Sequence, residues 1–403
     1  MSRRVKQTRR GLERRWRLLH KRVVFALRER MKVPKCLWLV CWHRWHRQGP
    51  WARSSRFVKQ CLRIVEQATP TPAGEPLPRV RPVEVDGQGY YLRMYRLFNH
   101  RDQRHCAAAL EGMKLARNTP IRTATLCHAM LLFRRGSYYV AVLEEAMAAG
   151  KGKLRTPETG EMLGRDIAHW HEIPTRLNPW IKVGLARTYR RRLDVEPVHE
   201  RLPVGSMEMV DRVRGLLGDP DFFGPIVTSH TDIHSWNVLL FPEGGLGWID
   251  LESVNQRPAR FDLAVATLRM LWFDVAAVDR FEQAYFAIRP GEWDGWRKYR
   301  LDWYLLISVL KGYRRLCGPG PAGRDEHAVE IWVQQGVPAM ARGLAAMQMQ
   351  ERGQPTSEMV RELLDRAEAM LADDPRFANW REHKRRVEAG TPPHDDVFEM
   401  LRG

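Results

Sequence analysis

Residues 229–241 read SHTDIHSWNVLLF, which places His230, Asp232 and Asn237 within eight consecutive positions. Val238 to Phe241 form a short apolar run, and the Pro242-Glu243-Gly244-Gly245 that follows carries strong turn signals. A second apolar run, Leu246 to Ile249, ends on Asp250. The pattern predicts two short strands joined by a turn, with polar groups collected where the chain enters and leaves them. Polar side chains so placed point to a site rather than to a packing unit.

The residue types point to one chemistry. Phosphoryl transfer from a nucleotide needs a carboxylate to receive the acceptor hydroxyl's proton, and oxygen ligands to hold Mg²⁺ against the phosphates. In a tight loop Asp232 faces the acceptor and Asn237 faces the metal. The strand pair then returns Asp250 to the same metal from the other side. A His-x-Asp-x4-Asn match alone arises by chance; the strand, turn, strand and the later Asp262-Leu263-Ala264 give it weight. His234 is read as a plain loop residue.

The rest of the chain sets the context. With 403 residues it can bury a large core and is expected to have two lobes or domains. The six cysteines are widely spread with no CxxC pair, which favours reduced thiols over a disulfide framework or a cysteine zinc site. The net charge of +19 is unevenly placed. Residues 1–65 hold 20 Lys and Arg against Glu13 and Glu29, whereas the remainder holds 46 basic and 45 acidic residues. The body is nearly neutral and the N-terminal segment carries the charge.

That segment lacks the apolar core of a secretory signal, and its run from Cys36 to Trp42 falls far short of the roughly 20 residues that span a bilayer. Leu12, Trp16, Leu19, Val23 and Leu27 recur at helical spacing, with arginines over much of the remaining surface and Pro34 as the stop. Trp38, Trp42, Trp45 and Trp51 follow among basic residues. Three readings stay open: an arm on an anionic membrane surface, an arm packed on the body, and an RNA-binding segment. Trp42-His43-Arg44-Trp45-His46 is read as interfacial or packing residues rather than a metal site.

The organisation expected is a basic amphipathic helical extension at 1–68, a Pro-rich linker at 69–82, a β-rich lobe at 83–145 and a helical lobe at 146–403. Val83–Val85 and Tyr90–Leu97 predict a hairpin around Asp86-Gly87-Gln88-Gly89. A helix is expected over about 101–117, and strands near 125–133 and 138–144. Helical periodicity dominates from Glu158, and the strand pair at 238–250 stands as an island within it.

The stretch SHTDIHSWNVLLFPEGGLGWIDLESVNQRPARFDLA resembles the aminoglycoside phosphotransferase and choline kinase superfamily, the small-molecule branch of the protein kinase-like fold. Its His-x-Asp-x4-Asn, Ile-Asp-x-Glu and Asp-Leu-Ala fall on His230, Asp232, Asn237, Ile249, Asp250, Glu252 and Asp262-Leu263-Ala264. LGRDIAHWHEI at 163–173 is similar to the family's helix ending in a Leu-His or related pair. YYLRMYRL is similar to the strand that carries the nucleotide-contacting cation, at Arg93. The likeness covers about residues 83–275.

The resemblance implies an α+β protein kinase-like two-lobe fold, with a small antiparallel-sheet N-lobe and a larger helical C-lobe, binding ATP and Mg²⁺ between them. It implies Asp232 as catalytic base, Asn237 and Asp250 as metal ligands, and Arg93, Asn237 and Asp250 as nucleotide-binding residues. Asp262 fixes the loop, and Glu252 touches metal or substrate. Three departures stand out. Arg93 occupies a place where Lys is usual, and Arg binds phosphate as a fork rather than a point charge. The helix glutamate that pairs with that cation has no counterpart: Cys106 falls at its register and Glu111 comes five residues late. No glycine-rich phosphate loop precedes Val83.

The expected reaction is γ-phosphoryl transfer to a hydroxyl of a small molecule or glycan. No activation segment of the protein-kinase type follows Asp250, which disfavours a protein substrate. The basic segment favours a membrane-held acceptor, such as a lipopolysaccharide core sugar, reached from the cytoplasmic leaflet by a cytoplasmic, peripherally bound protein. A soluble aminoglycoside- or choline-type kinase is the enzymatic alternative; Ile249-Asp250-Leu251-Glu252 suits the choline branch. A catalytically weak scaffold that binds membrane or RNA through residues 1–65 is the non-enzymatic one.

Overall fold

The structure is a computed structural model that describes residues 55–68, 80–134, 137–147, 156–174, 181–195, 197, 202, 205–234, 237–271 and 274–317, with Trp38, Val40, Met340 and Gly343. The helix expected around Leu12–Leu27, the Trp42–His46 cluster and residues 69–79 of the expected linker lie outside the described residues. The chain divides into two compact units: Met1–Ala148 with Gly247–Val254, and Ala149–Leu246 with Asn255–Gly403.

The first unit, the N-lobe, opens with helix α1 (Ser55–Ala68). Strands β1 (Val80–Val85) and β2 (Gln88–Arg96) follow, then helix α2 (His100–Ala116), the short β3 (Arg122–Thr123), and strands β4 (Leu126–Arg134) and β5 (Ser137–Glu145). Val80, Arg81 and Pro82, expected in the linker, already belong to β1. The sheet order is β1-β2-β5-β4, antiparallel throughout. Asp86 and Gly87 both adopt positive φ, 54° and 75°, the geometry of the two-residue turn that matches strand twist. α2 starts where Asn99 accepts hydrogen bonds from the backbone N–H groups of Arg101 and Asp102, an ordinary N-cap.

Both faces of the sheet are covered, which is why β5 (SYYVAVLEE) shows no polar alternation. Val58, Cys61, Leu62 and Val65 of α1 pack with Leu92 and Met94 of β2 and Ala141 and Leu143 of β5. Cys106, Ala107 and Leu110 of α2 pack on the other face with Tyr95, Val140 and Val142. The sequence reading groups residues 55–68 with a separate basic arm, but the helix is part of the N-lobe core. Two residues of the preceding segment are placed as well. Val40 is buried in the α2-side cluster, and the Lys114 ammonium stands 4.6 Å from the centroid of the Trp38 ring.

The second unit, the C-lobe, contains helices α3 (Pro157–Glu172), α4 (Ile181–Leu193) and α5 (Ser206–Leu216) and strands β6 (Ile226–Ser229) and β7 (Val238–Leu240). Strand β8 (Leu246–Trp248) crosses into the N-lobe, where it pairs in parallel with β3, Arg122 opposite Gly247. The chain then returns through β9 (Asn255–Pro258) and helices α6 (Ala259–Val265), α7 (Val275–Ile288) and α8 (Trp293–Cys317), with a π-helical segment at Ala266–Leu271 after α6. β6 and β9 pair antiparallel from Ile226–Pro258 to Ser229–Asn255.

α8 carries much of the C-lobe core. Trp296, Trp303, Tyr304, Leu305, Val309 and Tyr313 leave almost no surface exposed. Trp303 stacks on Phe222 at 4.8 Å and donates its indole N–H to the Phe222 carbonyl at 3.1 Å. α3 is capped by Thr156 and begins on Pro157, and it packs along α7. The approach of these two helices depends on glycine: a Cβ at Gly160 would overlap the Ala277 carbonyl oxygen, and one at Gly164 that of Phe281. The described cysteines Cys61, Cys106, Cys127 and Cys317 are free thiols. Among the described residues no helix is long and apolar enough to cross a membrane.

Two substitutions check this packing. Gly160→Ala should cost about 1–3 kcal/mol through overpacking between α3 and α7. Leu62→Ala, at a site that is 3% exposed, should cost about 2–5 kcal/mol through the cavity left between α1 and the sheet. Urea unfolding of the full-length chain measures both, and a neutral Leu62→Ala would show that α1 is no core element.

Candidate active site

The candidate residues of the C-lobe begin where β6 ends. Ser229 is fully buried and its hydroxyl donates to Asp262 Oδ1 at 2.6 Å. Asp262, also buried, lies 3.3 Å from His171 Nε2, and the other nitrogen of that ring is 2.8 Å from the Tyr285 hydroxyl. The Asp-Leu-Ala aspartate thus ties the strand before the loop to α3 and α7, and does not reach the reacting groups. His230 is fully buried beside Trp170, ring centroids 6.2 Å apart. Anchored by these two residues, the chain turns outward through Thr231, whose φ is 65°.

Asp232 emerges half-buried from that turn, with 36% of its side chain accessible. Asn237 donates Nδ2 to the Asp232 carbonyl at 2.9 Å and faces its Oδ2 at 3.3 Å, so carboxylate and amide are held as one unit. Arg269 donates to Asp232 Oδ1 at 2.7 Å, and His234 Nε2 lies 3.4 Å from Oδ2. Burial works against the charge on Asp232, but His234 and Arg269 outweigh it and hold the carboxyl well below its usual range. The group is an anion at every physiological pH.

Neither neighbour of Asp232 is signalled by the motif. His234, expected to be a plain loop residue, borders the carboxylate. Arg269 projects from the π-helical segment, a distortion that often accompanies functional positions. Asp262-Leu263-Ala264 marks that stretch, but the sequence carries no signal for the π-turn that re-aims Arg269.

The candidate residues of the N-lobe gather around Arg93 on β2. Its Nε donates to Glu144 Oε2 at 3.0 Å, and its Nη1 lies 3.5 Å from Glu252 and 3.6 Å from Asp250. Glu144 comes from β5, the strand hydrogen-bonded to β2, where Val142 is the direct partner of Arg93. Arg93's carboxylate partner is therefore a strand residue. Cys106, at the register of the missing helix glutamate, is a core residue. Burial opposes the charge on Arg93, but Glu144 and Glu252 overcome it and raise its pKa further. Burial pushes the Glu144 carboxyl up and Arg93 pulls it back, so each stabilises the other's charge.

Asp250 sits at φ 56° and ψ 47°, a left-handed conformation that a non-glycine residue keeps where its surroundings over-determine it. Its side chain remains 37% exposed. Glu252, two residues on, faces Arg93, Tyr95 and His105. Of the four residues picked from the sequence, Asp232 and Asn237 meet in one lobe, and Arg93 and Asp250 meet in the other.

Asp250 in one unit and Asn237 in the other are each oxygen donors of the kind Mg²⁺ takes. Among the described residues no group of three His, Cys, Asp or Glu forms a cage for a metal ion. Mg²⁺ rarely uses such a cage; it keeps several waters and takes one or two protein oxygens beside substrate phosphates. Asp250 offers an accessible carboxylate. Asn237, its nitrogen spent on Asp232, presents its amide oxygen as the remaining polar atom.

Several solved structures are similar to the chain. One is a microcompartment-associated aminopropanol kinase, with 15% identity, 72% of this chain and 98% of that one covered, and a TM-score of 0.45. Another is a choline/ethanolamine kinase family protein from Mesorhizobium loti, with 18% identity, 76% and 99% covered, and a TM-score of 0.46. A third is an aminoglycoside phosphotransferase from Alicyclobacillus acidocaldarius, with 13% identity, 78% and 92% covered, and a TM-score of 0.41. No curated protein matches the chain. The model of the phosphotransferase enzyme family matches residues 43–301, more than half of the sequence and all the residues described above as the candidate site. The chain belongs to the phosphotransferase enzyme family.

Proposed function

We propose that this phosphotransferase moves the γ-phosphoryl group of ATP, with Mg²⁺, to a hydroxyl of a small molecule or glycan, with Asp232 as the base. The observation that carries the reading is Asp232 itself: an accessible carboxylate, held ionised by Arg269 and His234 and joined to Asn237. Mg·ATP supplies the transferable group and the neutralising metal charge. Arg269 occupies Oδ1 at 2.7 Å, whereas the contacts to Oδ2 are 3.3 and 3.4 Å long. Oδ2 is therefore the atom that takes the acceptor's proton as its oxygen bonds to phosphorus and the β–γ bridging bond breaks. Asn237 and Asp250 supply metal ligands, and Arg93 a forked cation for nucleotide phosphates.

For the acceptor, we favour a membrane-associated glycan such as a lipopolysaccharide core sugar, with the protein peripheral on the cytoplasmic face of the inner membrane. What supports this is composition: 20 Lys and Arg in residues 1–65, with four tryptophans among residues 38–51. Each basic residue near an anionic surface is worth about 1 kcal/mol. A soluble choline- or aminoglycoside-type acceptor is the alternative, and a panel of amino alcohols, aminoglycosides and core oligosaccharides separates the two.

Asp232→Ala should lower turnover by about 10²–10⁴-fold, the scale of general base catalysis, with the fold intact by circular dichroism. Asn237→Ala and Asp250→Ala should also weaken Mg·ATP binding. Arg93→Lys should raise the KM for ATP while keeping Glu144 paired. Wild-type turnover in Asp232→Ala would leave only the scaffold reading.

Arg269→Gln tests the electrostatics. Without the guanidinium, burial of Asp232 is less opposed, its pKa rises, and the acid limb of the kcat profile should move to higher pH. An acid limb at the wild-type position would mean that Arg269 does not set the charge state of the base.

The N-terminal segment is tested by removing residues 1–33, which keeps Trp38, Val40 and α1. The full-length protein should cosediment with anionic vesicles in a salt-sensitive way, since the Debye length is about 8 Å at physiological ionic strength. The shortened protein should lose that binding and keep ATP binding. Equal sedimentation of the two, or competition by RNA alone, would remove the support for a membrane-held acceptor.

A further inference from the structure

Glu252 joins three elements of the N-lobe. Its Oε1 accepts from the Tyr95 hydroxyl at 2.8 Å and faces Arg93 Nη1 at 3.5 Å, while its Oε2 lies 2.9 Å from His105 Nδ1. β2, α2 and the short 3-10 turn Leu251–Ser253 therefore meet at one carboxylate, of whose side chain 7% is exposed. The same helix touches the turn a second time. Gly112 lies two turns beyond His105, on the same face of α2, and a Cβ there would come within 3.0 Å of Leu251 Cβ. Asp250 stands immediately before this turn in its left-handed conformation.

We propose that His105 is a positioning residue: through Glu252 it couples α2 to the turn that carries Asp250, and so sets the metal-binding carboxylate. In protein kinases a helix glutamate pairs with the strand cation. In this chain Glu144 of β5 takes the strand cation, which leaves α2 to grip the Asp250 turn with a histidine instead. His105 touches neither nucleotide nor acceptor in this role; it acts through Glu252. The inference rests on reading Asp250 as a metal ligand.

The test uses the full-length protein with His105→Ala and His105→Asn, the latter because an asparagine amide nitrogen replaces Nδ1. Binding of ADP is measured calorimetrically with and without Mg²⁺, beside KM and kcat for ATP and the acceptor and the thermal midpoint. His105 is 28% exposed, so both variants should fold. His105→Ala should weaken Mg²⁺-dependent ADP binding by about 10-fold, as supporting residues around metal ligands do. ADP binding without Mg²⁺ and the acceptor KM should hold, and His105→Asn should recover most of the loss. Wild-type Mg·ADP affinity in His105→Ala, an equal loss without Mg²⁺, or an Asn variant no better than Ala would each overturn the proposal. Asp250→Ala is run beside them. If it weakens Mg·ADP binding while His105→Ala does not, only the coupling falls; if it binds normally, the metal-ligand reading falls as well.

Discussion

Burying a carboxylate is costly unless a cation comes with it, and the N-lobe site is organised around that constraint. Glu144 is 3% exposed in the middle of a two-sided core. It is tolerable there because Arg93, one strand away, pairs with it at 3.0 Å. The pair needs the β2–β5 register to be correct, and that register needs both faces of the sheet covered, by α1 on one side and α2 on the other. Arg93 Nη1 then faces Glu252 and Asp250, at 3.5 and 3.6 Å. A chain of charge neutralisation leads from a packed sheet to the strained turn at Asp250.

The C-lobe solves a different problem with related means. Asp232, the proposed base, is partly buried, and Arg269 and His234 oppose the cost of that burial and keep it ionised. The loop that presents it is anchored from within: Ser229 donates to Asp262, Asp262 faces His171 of α3, and His230 is buried beside Trp170. Conserving the helix spacing beneath those partners falls to Gly160 and Gly164. Along the motif Ser229, His230 and Ile233 are buried, whereas Asp232 and His234 keep part of their surface accessible.

What was readable in the sequence was mainly local. His230, Asp232 and Asn237 lie within one loop, and Asp86-Gly87 names its own turn, so neither needed tertiary knowledge. The two-lobe order followed from the strand-rich and helix-rich stretches. Glu144 escaped because its role depends on a neighbour 51 residues away across a strand pairing. Arg269 escaped because a π-turn alters the direction in which it projects, and His105 because its partner, Glu252, is remote in sequence. α1 is a different failure. Val58, Cys61, Leu62 and Val65 recur at helical spacing and announce a buried face, but the density of arginine around them made the segment read as a separate arm. Charge count describes a surface; the apolar stripe decides where a helix packs.

The most direct test of phosphoryl transfer to a hydroxyl is ³¹P NMR of wild-type protein with Mg·ATP and the acceptor panel. A new phosphomonoester resonance should grow in step with ADP for at least one hydroxyl-bearing acceptor. Conversion of ATP to inorganic phosphate alone, or no consumption of ATP with any acceptor, would contradict it.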